Sequence, residues 1–449
     1  MRRLRLAEKN DLLRMLALGG RRLRRSPRLS RDEMASWQLA RIRELVVHAY
    51  ATVPLYRRLY SEVGFEPGDL HGWEDFRRLP LVSKDLLISC YPDRAISGSF
   101  RRTNLIVSRS SGSTGSVLDV VYPAETLIAY VLATLRVYQM GFPYRPWHRH
   151  LYVYTAPYPF SSVFGLYRLW FVPTLAPIEQ IVRKLLTVKP HLLVCYPSHL
   201  RQIAEIAGDD VLARIRPRLV SVSSEMSTQA ERDQLADRFG CPALDNYSSE
   251  ELARIAAQCR FGTYHIFEDM NYLEVVDEGG EPSAGLGALV GTNLHNFAMP
   301  LIRYQQNDLG AIAEPEAGDC PCGWHFRVLR QLEGRKNDSF VLPSGRVLTS
   351  GFLLDATYEF LLRHRNAVRD FCLIQESACR VRLEVVPGRG WSPEVGRRIA
   401  ARFRELLEPG VDFRVEVVAE CEKTRSGKRN PIRSRLAARG AEAGRGAVA

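Results

Sequence analysis

The sequence predicts an α/β protein: a large N-terminal domain with mixed and parallel sheets and a barrel-like part, then a small mobile α+β C-terminal domain. Three observations predict it. At 449 residues the chain is too long for one ordinary domain. From about Asn104, short apolar runs alternate with helix-period segments, the pattern of a parallel sheet covered by helices. After Gly334-Arg335 a shorter strand–helix–strand pattern begins.

The elements follow in order. Over residues 32–64, Met34, Trp37, Ile42, Leu45 and Val46 recur near helical spacing, and Pro54 kinks or ends the first helix. In LPLVSKDLLISCYP, Ser83 predicts an N-cap before Lys84-Asp85-Leu86. Leu105 to Val107, Leu151 to Tyr154, His191 to Tyr196 and Arg218 to Val222 read as strands. Thr126 to Met140, Ile178 to Leu186 and Leu200 to Ala207 read as the helices between them. From Tyr272 to Ala313, turn signals such as Glu278-Gly279-Gly280 and Gly285-Leu286-Gly287 predict the antiparallel, barrel-like portion. Val381 to Val386 and Phe413 to Val418 read as strands of the small domain, with a helix over Pro393 to Leu407. The expected divisions are a basic arm at 1–31, a large domain at 32–335, a small domain at 336–436 and a disordered tail at 437–449.

Hydrophobic residues at 46% and charged residues at 25% are ordinary for a globular protein. The formal net charge is +12. Arg2, Arg3, Arg5, Lys9, Arg14, Arg21, Arg22, Arg24, Arg25, Arg28 and Arg31 face only Glu8 and Asp11 within the arm, so most of the excess sits there. No aromatic residue interleaves them to stack on bases, so nucleic acid is not an expected partner. The arm reads as a solvated basic segment or as a weak contact with an acidic membrane surface. No signal peptide or membrane span is read from the sequence, and nine scattered cysteines fit a reducing cytosol, so a cytoplasmic location is expected.

The run Ser108-Arg109-Ser110-Ser111-Gly112-Ser113-Thr114-Gly115-Ser116 follows a strand-like segment. Small residues let backbone N–H groups close round an anion, and hydroxyls add donors. No Gly-Lys-Ser/Thr follows, so it is not a Walker loop. By itself such a run is most often just a flexible loop. SSGSTG resembles the [ST]-S-G-[ST]-T-G loop of the adenylate-forming superfamily, and LPLVSKDLL before it resembles the phenylacetate–CoA ligase family, a group that includes capsule-biosynthesis relatives. The resemblance implies that Ser110, Ser111, Gly112, Ser113, Thr114 and Gly115 hold the ATP phosphates, with Thr114 among the catalytic residues.

Further segments resemble family motifs in family order, over residues 77–435. Asp245-Asn246-Tyr247-Ser248-Ser249-Glu250 resembles Y-G-x-[ST]-E, which implies that Asn246, Tyr247 and Ser248 meet the nucleotide and Glu250 serves Mg²⁺. An aromatic face suits the base and a hard carboxylate suits the metal. The same residues also read as a helix N-terminus capped by Ser248 or Ser249. Ser223, Ser224 and Glu225 resemble the segment lining adenine. Arg303-Tyr304-Gln305-Gln306-Asn307-Asp308 resembles Y-R-T-x-D, which implies that Asp308 accepts from the ribose hydroxyls; Gln305 stands where arginine is common. Gly334-Arg335-Lys336-Asn337-Asp338 resembles the G-R-x-D-D hinge, with Arg335 reaching the nucleotide and Asn337 in the usual aspartate position. Lys423-Thr424-Arg425-Ser426-Gly427-Lys428 resembles R-T-x-S-G-K, with Lys428 acting on the acid and the α-phosphate.

Cys259 and His265 precede Cys320-Pro321-Cys322-Gly323. Three thiolates and an imidazole form a chemically sensible structural zinc set, and some family relatives resemble this pattern. Buried free thiols and a core histidine are the other reading.

The resemblance implies ATP-dependent adenylation of a carboxylic acid, aryl or acyl, followed by thioester formation with coenzyme A. An adenylating ligase that forms an amide or ester, or transfers AMP, without coenzyme A is the alternative. A non-catalytic scaffold built on the basic arm is a third reading. Tyr152, Tyr154, Tyr158, Phe160, Phe164 and Tyr167 are candidates for an aromatic acid pocket and read equally as core or surface residues.

Overall fold

The structure is a computed structural model describing residues 25–109, 117–155, 157, 162, 164–313, 320–362, 367–424 and 427–436. The basic arm up to residue 24, loop residues 110–116, Tyr158, Phe160, Arg425, Ser426 and the tail from 437 lie outside them. The chain forms two compact units. The first spans residues 1–224, 235–306 and 310–331; the second spans 225–234, 307–309 and 332–449.

The first unit opens with the helices Arg31–Thr52 and Pro54–Glu62. Ser30 caps the former in a capping box with Glu33, and Pro54 sits at the first position of the latter, where its missing N–H costs nothing. Ser83 caps Lys84–Cys90 by accepting from the Leu86 amide at 3.2 Å.

A hairpin of β1 (Ile106–Arg109) and β2 (Asp119–Tyr122) flanks the phosphate-loop sequence. Then come β3 (His150–Tyr154), β4 (Leu169–Pro173), β5 (Leu192–Cys195), β6 (Leu219–Ser223) and β7 (Ala243–Ser249), which run parallel to one another. The helices Ile178–Val188, Pro197–Ile215 and Gln229–Phe239 separate successive strands from β4 to β7. The strand pleat sorts their side chains. Leu151, Val153, Leu193, Cys195, Val220 and Val222 pack on Ile181, Leu185, Leu200 and Ile203. Tyr152, Leu192, Val194 and Leu219 point the other way, onto the helix Ala124–Gly141. That contact requires Gly141, where a Cβ would stand 2.6 Å from Leu219 Cδ1.

The antiparallel strands are β8 (Ala253–Gln258), β9 (Tyr264–Ile266), β10 (Asn271–Val276), β11 (Gly287–Asn293), β12 (Tyr304–Ala313) and β13 (Val328–Arg335). They extend the same sheet, in the order β10-β11-β12-β13-β9-β8-β7-β6-β5-β3-β4. The expected barrel-like part is therefore corrected to an open sheet. The turn after Val276 makes an antiparallel neighbour pair, but β10 and β4 remain at opposite edges and no ring closes. Among the described residues, no helix is long and apolar enough to cross a membrane.

The second unit holds β14 (Phe340–Val341), β15 (Val347–Leu348), β16 (Val368–Ser377), β17 (Arg380–Pro387), β18 (Asp412–Val417) and β19 (Ile432–Ser434). The last four form a sheet in the order β18-β17-β16-β19. The helices Ser350–Leu362 and Pro393–Leu406 cover one face through Leu353, Phe360, Ile399 and Phe403, against Phe371, Leu383 and Phe413.

Candidate active site

Parallel strands direct their carboxyl ends to one edge of the sheet, where open α/β folds bind ligands. In the first unit this edge gathers Tyr154 from β3, Tyr196 after β5, Ser223 and Ser224 from β6, and Asn246 and Tyr247 from β7. Ser223 and Asn246 are paired across β6 and β7. Ser224 turns out of its strand with φ +70° and its hydroxyl meets Tyr154 Oη at 3.0 Å. Asn246 is buried, and among the described residues its Oδ1 has no hydrogen-bond partner. A buried orphan acceptor is costly unless a ligand supplies its donor. Beside it, Asp245 accepts from Tyr264 Oη at 2.6 Å.

The connection from β7 to β8 carries the acidic residues. It is a strand-to-strand turn, so the expected helix N-terminus is corrected. Ser249 Oγ accepts from the Leu252 amide at 3.0 Å and donates to Gln306 Oε1, while Gln306 Nε2 donates to Tyr247 Oη at 3.3 Å. That bridge fixes the Tyr247 ring. Ser248 Oγ meets the Arg254 guanidinium at 3.2 Å. Glu250 accepts from Ser108 Oγ on β1, the strand that runs into residues 110–116. Glu251 is buried beside Lys84 Nζ at 3.7 Å and Tyr304 Oη at 3.3 Å.

Below this edge, β3 presents a buried polar row to the helix Ala124–Gly141. Tyr152 Oη meets Tyr138 Oη at 2.8 Å, and Arg254 reaches Thr134 Oγ1 at 3.1 Å. His150 is fully enclosed, and burial together with Arg254 pushes its pKa down to about 3, so it is neutral. Of the aromatic candidates, Tyr152 and Tyr154 lie on β3, Tyr167 precedes the amino end of β4 and packs against the same cluster, and Phe164 is exposed.

Among residues of the second unit, Asp308 lies half-buried on β12. Gly334, at φ +72°, precedes Arg335; a Cβ there would stand 2.4 Å from Met226 Sδ and 2.5 Å from Ser350 Oγ. Burial raises the Asp338 carboxyl against the opposing pull of Arg335 and the Asn430 amide. Lys428 is half-buried in a tight loop in which Lys423 bridges Arg429 and the Thr424 amide donates to the Lys428 carbonyl at 2.9 Å. Glu225 accepts from the Arg429 amide at 2.6 Å, tying that loop down.

Cys259, His265, Cys320 and Cys322 converge in the first unit, their donor atoms all within 4.8 Å of one another. Cys259 Sγ stands 3.5 Å from Cys320 Sγ, and Cys322 Sγ stands 3.1 Å from His265 Nε2. Tetrahedral ligands on zinc–sulfur bonds of about 2.3 Å stand about 3.8 Å apart, so the set is the right size for one ion. Bonds from neighbouring thiols and the imidazole pull the Cys259 pKa well below the usual thiol range.

Comparison with known proteins decides the family. The chain is 30% identical over 344 residues to the phenylacetate-coenzyme A ligase of Thermus thermophilus, covering 70% of this chain and 73% of that protein. The chain belongs to the phenylacetate–CoA ligase family. The Escherichia coli phenylacetate-coenzyme A ligase is 26% identical over 338 residues, or 71% of this chain and 75% of that protein. Protein CapK of Staphylococcus aureus matches 164 residues at 24% identity, 36% of this chain and 35% of CapK. No family model matches. Among solved structures, 2-hydroxyisobutyryl-CoA ligase in complex with 2-HIB-AMP shares the fold with TM-score 0.76 at 21% identity, over 94% of each chain. Anthranilate CoA ligase with anthranoyl-AMP follows with TM-score 0.55 at 17% identity, over 77% of this chain and 69% of that one.

Against the family motifs, Gln305 spends its backbone amide on the Val82 carbonyl at 2.9 Å. The neighbouring Arg303 is no substitute for the missing arginine. It is buried on Glu274 at 2.7 Å and on the Leu79 carbonyl.

Proposed function

We propose that this chain is an AMP-forming acid–thiol ligase that activates a carboxylic acid with ATP and passes the acyl group to coenzyme A. One observation carries the reading. A single sheet edge presents the orphan acceptor of Asn246, the pinned ring of Tyr247 and the Glu250 carboxylate bound to the strand entering the Ser/Gly/Thr loop.

Asn246 Oδ1 is suited to the amino group of adenine, Tyr247 to its ring face, and the Ser223-Ser224 turn to its edge. Residues 110–115 would cradle the phosphates, with Thr114 and Glu250 nearest the reacting groups by family resemblance. Glu250 would hold Mg²⁺, which neutralises phosphate charge when bound. Asp308 would accept from the ribose hydroxyls, Arg335 would meet the nucleotide, and Lys428 would stabilise charge on the α-phosphate. In the first half-reaction a carboxylate oxygen bonds to the α-phosphorus and the bond to pyrophosphate breaks. In the second, the thiol sulfur bonds to the acyl carbon, the acyl–phosphate bond breaks and AMP leaves, the thiol proton passing to solvent. No side chain serves as nucleophile.

Cys259, His265, Cys320 and Cys322 are proposed to hold one structural zinc ion. Four protein donors leave no open position, so the ion would be a brace rather than a reactant. An acid-dependent ATP–pyrophosphate exchange screen tests the adenylation step. Exchange with at least one acid supports it, and none across aryl, short-chain and long-chain acids contradicts it. Expected partners are the small acid, ATP and coenzyme A, acting in the cytoplasm.

A further inference from the structure

The amino ends of the same parallel strands carry a second feature. Backbone bonds from His150 to Arg168, from His191 to Arg149 and from Arg218 to His191 place Arg168, Arg149, His191 and Arg218 side by side, one per strand across β4, β3, β5 and β6. At the usual strand spacing this row spans about 14 Å. Arg149 turns its guanidinium onto the Val188 and Lys189 carbonyls, closing the helix Ile178–Val188. Arg168 and Arg218 are exposed, as are Arg145 in the preceding loop and Lys189 and Arg216 at the ends of the two crossover helices. Among the described residues, none of these five exposed cations forms an ion pair with a carboxylate.

Apolar side chains stand beside the row. Trp147 is 66% exposed, Phe164 54% and Leu166 40%. The two loops bearing them are joined by the Tyr167 amide donating to the Pro146 carbonyl at 2.6 Å. The second loop is built on left-handed backbone at Phe164 and Tyr167, φ +50° and +51°, which side chains with a Cβ rarely adopt. In this loop Phe164 and Leu166 stand exposed to solvent.

We propose that this edge docks on an anionic phospholipid membrane. Basic residues beside an exposed indole, a phenyl ring and a leucine match a leaflet, where headgroups meet the cations and the rings settle at the interface. Single-stranded nucleic acid would use the rings and arginines but gives Leu166 no partner. The surface draws on no residue of the basic arm. It also lies at the other end of β3 from Tyr154, about 13 Å of strand away, so docking leaves the candidate active site open to solutes.

Sedimentation of the full chain with phosphatidylcholine vesicles, with and without 30 mol% phosphatidylglycerol, tests this. The anionic vesicles should capture the protein and the neutral ones should not. Each basic residue near an anionic leaflet is worth about fivefold in partitioning, so Arg168→Glu with Arg218→Glu should weaken capture by about 30-fold or more. Arg168→Lys with Arg218→Lys should bind like the parent, which separates lost charge from misfolding. Quenching of tryptophan emission by brominated lipid should fall in Trp147→Phe while capture persists. Equal capture by both vesicle types would overturn the proposal. So would full capture of the double glutamate variant alongside its loss when Arg21, Arg22 and Arg24 are reversed, or binding to single-stranded RNA without binding to vesicles.

Discussion

Removing metal from the cysteine–histidine cluster gives the most quantitative prediction. Cys259 and Cys320 are buried in the same core as Phe267, Met270 and Phe326, with the His265 ring 5.7 Å from that of Trp324. An ion there joins two stretches 61 residues apart. With free zinc at a thousand times its dissociation constant, binding stabilises the folded state by about 4 kcal/mol. For a cooperative unit larger than 250 residues that is worth about 2 °C per kcal/mol, so chelation should lower Tm by about 8 °C. The effect should reach the nucleotide residues, because Cys259 is two positions from Ala257, the cross-strand partner of Asn246. The apparent ATP constant should therefore rise on chelation. Elemental analysis should find one zinc per chain, lost in Cys259→Ser and retained in Cys90→Ser, whose thiol is buried elsewhere. Protein purified without chelator that carries no zinc, or one whose Tm is unmoved by removing it, would refute the reasoning.

Three further outcomes are expected. Lys428→Ala should slow acid-dependent exchange by about 10²–10³-fold with Tm unchanged, because the lysine is half-buried in a loop and its loss opens no core cavity; parental exchange would remove its assigned role. Asp308→Ala should raise the ATP dissociation constant measured by calorimetry, and an unchanged constant would exclude the ribose contact. His150 stays neutral in the folded state down to about pH 3 but takes a proton near 6.5 when unfolded. The unfolded state therefore binds more protons as pH falls, and stability is lost progressively below pH 6.5, by about 2 kcal/mol at pH 5. Urea midpoints at pH 7 and 5 should converge in His150→Phe relative to the parent.

What the sequence revealed was local. Pro54 and Ser83 act within one turn of chain, and each stands where its chemistry placed it. The zinc-type set was legible from residue types, although only folding brings Cys259 to Cys320. Misreadings arose where one local signal serves two structures. Ser249 bonding an amide three residues on occurs at a helix start and equally in the turn between β7 and β8. Glycine turns near 280 and 286 mark hairpins but do not say whether a sheet closes. The crossover after β3 returns Phe164 and Tyr167 to the amino end of the parallel strands, which residue types alone do not show. The helix Ser350–Leu362 was readable from Leu353, Leu354 and Leu361 at helical spacing, yet was not anticipated. The orphan Oδ1 of Asn246 has no sequence signal, because burial depends on the neighbouring strands.

In this enzyme acyl transfer to coenzyme A is expected to follow adenylation. Its most direct test is mass spectrometry of the products formed with ATP, Mg²⁺, coenzyme A and an acid that supports exchange. Acyl-CoA, AMP and pyrophosphate should form in equal amounts, with no ADP. Acyl-AMP that accumulates in the presence of coenzyme A, or is captured only by an added amine or alcohol, would contradict it.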